Sequence, residues 1–119
     1  MAHSIIRLND SSRDYYLEYS SVVDAPVTFG VSLEEFTHGY RLKYGTESLK
    51  QEFPDRMKRV EEKGTSSYMY VSVEEELTCN RAGKGETRLT IPQIIDAYCV
   101  NGGWDGDCPI EGTRWQDEE

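Results

Sequence analysis

The amino-acid sequence predicts a small α+β domain: a three-stranded antiparallel sheet covered on one face by about four helices, in the order β-β-α-α-β-α-α. Two observations lead to this prediction. Several segments alternate apolar and polar side chains with the period of two that is typical of strands. Others begin with helix-capping residues and continue with apolar side chains at helical spacing. We expect residues 1–103 to form this single domain and residues 104–119 to form an acidic C-terminal tail containing glycine and tryptophan.

The first two strands form a predicted hairpin. Residues 4–8 are an apolar run rich in β-branched side chains, and residues 9–12 are turn formers. The following residues alternate, with Tyr15, Leu17 and Tyr19 on one face. An isolated hairpin is only marginally stable in water. We therefore expect helices to cover its apolar face.

Capping residues indicate where the first helices begin and end. Ser32 and Glu35 form a capping box at the start of the first helix, which Gly45 ends. Gly39 within that helix suggests close packing against a neighbour, because glycine there costs about 1 kcal/mol relative to alanine. A second helix follows and is expected to kink or restart at Pro54.

The third strand is predicted over residues 67–73. Tyr68 and Tyr70 alternate there with three apolar side chains, Met69, Val71 and Val73, which we expect to face the core. This strand leads directly into a short helix that ends near position 80. The last helix begins at Thr90, where Thr90 and Gln93 form a second capping box, and ends at residues 101–103.

Composition and the lack of long apolar runs argue against a membrane protein and against a secreted one. The chain has 119 residues, of which 37% are hydrophobic, and a domain of this length buries enough surface for one core without metals or disulfides. No apolar run approaches the roughly 20 residues that span a bilayer, and the first residues lack the features of a secretory signal. We therefore expect a cytoplasmic protein that is not inserted in a membrane.

The cysteines do not indicate a metal centre. Cys79, Cys99 and Cys108 lack the paired spacing of zinc ligands, and thiols of a cytoplasmic chain are expected to stay reduced. Cys99 lies on the apolar face of the last helix and is interpreted as a small core residue. We expect neither a metal nor a cofactor.

Aromatic side chains favour a role in protein–protein interaction. By alternation, Tyr16, Tyr68 and Tyr70 are expected to point away from the core, and Trp104 and Trp115 lie in the tail. Tyrosine and tryptophan are enriched in protein interfaces. Alternation does not show what covers a face, so a second layer or the tail itself is an equal alternative. The favoured prediction is a non-enzymatic binding protein in which these five residues contact the partner.

A helix-turn-helix protein that binds nucleic acid is the first alternative. The second predicted helix carries five basic side chains, of which Lys50, Arg56, Lys58 and Arg59 would contact the nucleic acid. The same helix carries several acids, and the net charge of −9 is opposite to the basic character that phosphate binding requires. A helical hairpin covering a sheet explains the pattern equally well. Nucleic acid is therefore not the expected partner.

A small hydrolase is the second alternative. Asp24 and His38 are joined only by proximity in sequence, and the chain lacks the Gly-x-Ser-x-Gly motif of a nucleophile elbow. The oxygen side chains of Asp105, Asp107 and Glu111 do not have the spacing of an EF-hand calcium site. We therefore predict no catalytic and no metal-binding residue.

The chain resembles small accessory proteins of tailed phages that infect actinobacteria. The resemblance lies in residues 18–36, from Glu18-Tyr-Ser-Ser to Leu-Glu-Glu-Phe36, and in residues 40–45, 79–83 and 89–99. It implies a viral protein in the host cytoplasm whose partner is a host or viral protein, and it implies no catalytic residue. A homodimer formed by the strand over residues 67–73 and mimicry of DNA by the carboxylates of residues 74–76 and the tail are further expectations.

Overall fold

The structure, a computed structural model, describes residues 3–102 and 108–114. Its antiparallel sheet has the strand order β1 (His3–Asn9), β2 (Asp14–Ser20) and β3 (Ala25–Pro26). The helices are α1 (Leu33–Tyr44), α2 (Thr46–Gln51), α3 (Phe53–Lys63), α4 (Val73–Glu76) and α5 (Ile91–Ile94). A 3-10 turn over Leu77–Cys79 follows α4, and a π-helical segment over Ile95–Val100 follows α5. The predicted α+β class with a three-stranded antiparallel sheet is confirmed.

The sheet is covered on both faces rather than on one. One hydrophobic cluster joins Leu8 and Leu17 to the later helices and Cys108, and the other joins Ile5 to α1 and α3. Tyr16 belongs to the second cluster, where it is 8% exposed and packs against Phe36. The prediction that Tyr16 contacts a partner is therefore wrong, because α1 and α3 cover its face of the sheet.

The third strand is not where the sequence predicted it. Ala25 and Pro26 pair with the end of β2, whereas residues 67–72 form no strand. The outer edge of β1 is instead covered by the segment just before them, since Arg7 N–H donates to Gly64 O at 2.9 Å and Ser66 N–H to Ile5 O at 2.9 Å. The predicted order β-β-α-α-β-α-α is wrong at this position, and residues 67–73 do not form the strand through which a homodimer was expected.

The predicted helix ends are confirmed where they depend on local signals. Both capping boxes are formed, by Ser32 with Glu35 and by Thr90 with Gln93. Pro54 lies in the first turn of α3, so the second predicted helix does restart there. Gly45 follows α1 with a φ of +95°, which favours glycine over other residues.

The expectation of close packing at Gly39 is wrong, because a Cβ built on this residue meets no atom within 4 Å. We therefore expect Gly39→Ala to raise the free energy of unfolding by about 0.5–1 kcal/mol, since alanine loses less backbone entropy in a helix. Urea denaturation followed by circular dichroism measures this gain. Gly64→Ala is the matched control and is expected to destabilise, because Gly64 has a φ of +87° and its Cβ would lie 2.7 Å from Val73 Cγ2. A loss of stability in Gly39→Ala would contradict the interpretation.

The three cysteines are free thiols. Cys99 lies in the π-helical segment, and burial raises the pKa of its thiol to about 12. The thiol is therefore protonated near neutral pH, whereas the nucleophilic form of cysteine is the thiolate. This agrees with its interpretation as a small core residue.

Residues 108–114, which the sequence placed in the tail, pack on the domain. Cys108 is buried in the first cluster and Ile110 packs against it. Arg88 and Thr113 exchange two backbone hydrogen bonds of 2.9 Å. Among the described residues, no helix has the length and apolar content needed to cross a bilayer.

Candidate protein-binding surface

The segment between α3 and α4 exposes large apolar side chains to solvent. Tyr68 and Met69 are each 82% exposed and Val71 is 75% exposed. We call residues 67–71 the Tyr68 loop. Single exposed apolar residues are ordinary on protein surfaces, but a contiguous group often marks an interaction site. The Tyr68 loop is therefore the candidate site.

The backbone of the Tyr68 loop is held by side chains from both neighbouring helices. From α3, Lys63 Nζ donates to Tyr70 O at 2.7 Å. From α4, Glu75 Oε1 accepts a hydrogen bond of 2.9 Å from Val71 N–H. Within the loop, Met69 N–H donates to Ser67 Oγ at 3.0 Å. A loop that is already ordered loses less entropy when it binds.

Arg59 of α3 holds both the start of the loop and its first aromatic ring. Its Nε donates to Ser66 O at 2.7 Å, and its guanidinium carbon lies 4.0 Å from the centroid of the Tyr68 ring. A cation at this distance from an aromatic ring is attracted to its face. The Tyr68 ring therefore has a preferred position although most of its surface is exposed.

Buried polar contacts support the loop from below. Thr65 is fully buried, and its hydroxyl donates to the carboxylate of Glu76 and accepts a hydrogen bond of 3.1 Å from Ser67 N–H. Glu76 is itself buried. The expectation that the carboxylates of residues 74–76 together mimic DNA is therefore wrong for Glu76, which faces the interior.

The surface around the loop is acidic on its outer side. Tyr68, Met69 and Tyr70 line a cleft of about 660 Å³ together with Glu52 and Asp55. Both of these acids are exposed, as are Glu74 and Glu75 of α4. The cations of α3 next to the loop are at least partly buried and directed at backbone carbonyls. Carboxylates therefore form the charged rim of the surface.

The five residues predicted to contact a partner lie in different environments. Tyr68 and Tyr70 lie in the same loop; Tyr68 is exposed and Tyr70 is half-buried. Tyr16 is buried in the core. Trp104 and Trp115 lie outside the described residues, as do Asp105 and Asp107 of the acidic tail.

Two of the four basic residues proposed to contact DNA are used inside the protein. Arg56 is buried, with Nη1 donating to Tyr40 Oη at 3.1 Å and Nη2 to His3 O at 3.0 Å. Arg59 binds the Tyr68 loop as described. Lys50 and Lys58 are exposed. This arrangement weakens the nucleic-acid alternative, because phosphate contacts need accessible cations.

Asp24 and His38, the residues of the hydrolase alternative, lie in different depressions of the surface. Asp24 lines a cleft with Arg81 and Glu86. His38 is exposed on α1, where its Nδ1 is 3.1 Å from Arg41 Nη2. The two side chains are therefore not placed as a base and its orienting partner.

Sequence reasoning missed three residues of interest. Met69 and Val71 were assigned to the core because they alternate with the tyrosines, yet both are exposed. Glu18 was not singled out, although it is a buried carboxylate in the middle of β2. Its position between Leu17 and Tyr19, in a strand with apolar residues on both faces, is the signal that points to it.

Comparisons with known proteins identify no relative: no protein-family model, no curated protein and no solved structure matches the chain. Among the described residues, no group of three or more histidine, cysteine, aspartate or glutamate side chains is placed to hold a metal ion.

Proposed function

We propose that this protein is a non-enzymatic binding module that contacts a partner protein through the Tyr68 loop. The observation that carries the proposal is the ordered display of Tyr68, Met69 and Val71, three large apolar side chains that are each at least 75% exposed. Burying them removes apolar surface from water at about 25 cal/mol per Å². Tyrosine and methionine are also among the residue types enriched in interfaces.

The acidic rim indicates the chemistry of the partner. The exposed carboxylates of Glu52, Asp55, Glu74 and Glu75 favour a partner whose apolar contact patch is bordered by lysine or arginine. The net charge of −9 acts in the same direction at longer range. That the partner is a host or viral protein in a phage-infected cytoplasm stays a prediction from the resemblance.

A comparative capture experiment tests the proposal. Immobilised wild-type protein and the double variant Tyr68→Ser/Met69→Ser are incubated with host lysate, and captured proteins are quantified by mass spectrometry. We expect at least one protein to bind the wild type and to lose about tenfold or more in affinity with the double variant, which corresponds to 1.4 kcal/mol or more. Its capture should also fall as salt increases, because the rim is charged.

Leu42→Ser is the matched control. Leu42 is 72% exposed on α1, away from the Tyr68 loop, so its replacement removes a similar apolar side chain without changing the proposed interface. Equal capture by the wild type and the loop variant would contradict the proposal. Salt-dependent binding of duplex DNA by the wild type would instead support the helix-turn-helix alternative.

A further inference from the structure

A second surface feature, unrelated to the Tyr68 loop, is a groove of about 340 Å³ between α1 and the sheet. Its lining is mainly aromatic: Phe29, Phe36, Tyr40 and Tyr44 contribute to it, with Val31 beside them. Volumes of this size are typical of sites for small organic molecules. Such sites pair an apolar lining with a few placed polar groups, and this groove has charged side chains among its lining residues.

The buried one among these charged groups is the carboxylate of Glu18, which lies in the groove and is 2% exposed. Its two oxygens have separate partners. Oε1 accepts a hydrogen bond of 2.8 Å from Lys43 Nζ, and Oε2 accepts one of 2.8 Å from Tyr44 Oη. Tyr44 and Lys43 both line the groove.

Lys43 is the more exposed member of this pair. Its side chain is 47% exposed, against 3% for Glu18, and it has a flexible four-carbon stem. Its Nζ also lies 5.1 Å from the centroid of the Tyr44 ring. The hydrogen bond that Lys43 donates to Glu18 raises the pKa of the ammonium, which therefore remains charged. An ammonium on a carboxylate beside an aromatic ring is the arrangement in which proteins bind organic cations.

The charges of the groove favour a cation over an anion. Glu18 and Glu35 contribute two carboxylates to its lining and Lys43 one ammonium. When Lys43 turns to solvent, the buried carboxylate of Glu18 is left with Tyr44 alone. An ionised carboxylate in an apolar site is costly unless a cation replaces the one it lost. Lys43 thus occupies a site that an external ammonium group fits.

We propose that the groove binds a small organic amine: a primary ammonium group carried on an aryl or short alkyl body. The ammonium of the ligand replaces Lys43 on Glu18, its body packs among the aromatic side chains, and Lys43 moves into solvent. Because Lys43 competes for the same carboxylate, the apparent affinity is lowered by the fraction of molecules in which Lys43 occupies the site. The proposal is independent of the Tyr68 loop.

The test uses 2-phenylethylammonium as the probe, with 2-phenylethanol and 3-phenylpropionate as neutral and anionic analogues of similar size. Binding to the full chain is followed by NMR chemical shifts and calorimetry. We expect the ammonium probe alone to bind the wild type and to bind Lys43→Gln about tenfold more tightly, because the internal competitor is gone. Glu18→Gln is expected to lose this binding.

Gly39→Leu is a second variant that leaves the Glu18–Lys43 pair in place. Gly39 lines the groove and a Cβ on it meets no atom within 4 Å, so a larger side chain there enters the groove. We expect Gly39→Leu to remain folded and to lose the probe. The proposal is overturned if the wild type and Lys43→Gln both fail to bind the probe, if 3-phenylpropionate or 2-phenylethanol binds equally well, or if Gly39→Leu binds as the wild type does.

Discussion

Replacing Asn80 by alanine is expected to lower the free energy of unfolding by about 4 kcal/mol. Asn80 is 0% exposed, and its side chain makes four hydrogen bonds to backbone groups. Nδ2 donates to Leu77 O and Leu89 O, each at 2.8 Å. Oδ1 accepts from Ala82 N–H at 3.2 Å and from Leu89 N–H at 2.9 Å.

The size of this effect follows from what the substitution leaves behind. Alanine removes all four hydrogen bonds at once, and each buried backbone group without a partner costs about 1–3 kcal/mol. The side chain also connects Leu77, in the turn after α4, to Leu89, which precedes α5. Its loss therefore removes the hydrogen bonds that it makes to both segments. Urea denaturation followed by tyrosine fluorescence and circular dichroism measures the change.

Asn9→Ala is the control for Asn80→Ala. Asn9 is exposed and its side chain donates to Asp14 at the surface, so we expect a loss below about 1 kcal/mol. Asn80→Asp is a second variant that keeps the two accepted hydrogen bonds, because one oxygen still accepts from the two N–H groups while the other faces two carbonyls. Its stability is expected to rise as pH falls, since the neutral carboxyl can donate where the ionised form cannot. Equal losses in Asn80→Ala and Asn9→Ala would contradict the interpretation.

Replacing Thr65 by valine is expected to lower the free energy of unfolding by about 2–3 kcal/mol and to weaken partner binding by the Tyr68 loop. Valine fills the same volume but has no hydroxyl, so the buried carboxylate of Glu76 loses its donor and Ser67 N–H loses its acceptor. Hydrogen bonds to charged groups are worth about 1.5–3 kcal/mol. Chemical denaturation measures the stability, and amide hydrogen exchange of Ser67 and Met69 reports the order of the loop.

Thr65→Ser distinguishes the contribution of the Thr65 hydroxyl to stability from that of its methyl group. Serine keeps both hydrogen bonds and loses one buried methyl, for which we expect about 1 kcal/mol. Hydrogen exchange at the Tyr68 loop should accelerate in Thr65→Val and change little in Thr65→Ser. If the two variants were equally unstable and equally protected, the hydroxyl would not be what supports the loop.

Helix boundaries were predictable because the interactions that set them are local. The capping boxes at Ser32 and Thr90 each join residues three positions apart. Gly45 and Pro54 act through backbone conformations of their own. None of these signals depends on what packs against the helix.

The sheet was predicted less completely, because an alternating pattern does not identify a strand's partner. Residues 67–73 alternate as a strand does, yet the edge of β1 is already covered by residues 64–66. The following residues therefore leave the sheet, and Met69 and Val71 become exposed instead of buried. The same limit applies to Tyr16. Alternation predicted which face of the sheet it lies on, but did not predict that α1 and α3 cover that face.

Local sequence patterns are sufficient to predict the α+β class, the hairpin of β1 and β2 and most helix ends. These features depend on neighbours within a few positions. The candidate sites depend on contacts between distant segments. Lys43 meets Glu18 across 25 positions, and Arg56 meets His3 across 53. Such contacts form only when helices pack on the sheet, and this packing decides which tyrosines are buried, which side chains the Tyr68 loop exposes and where a carboxylate is enclosed among aromatic rings.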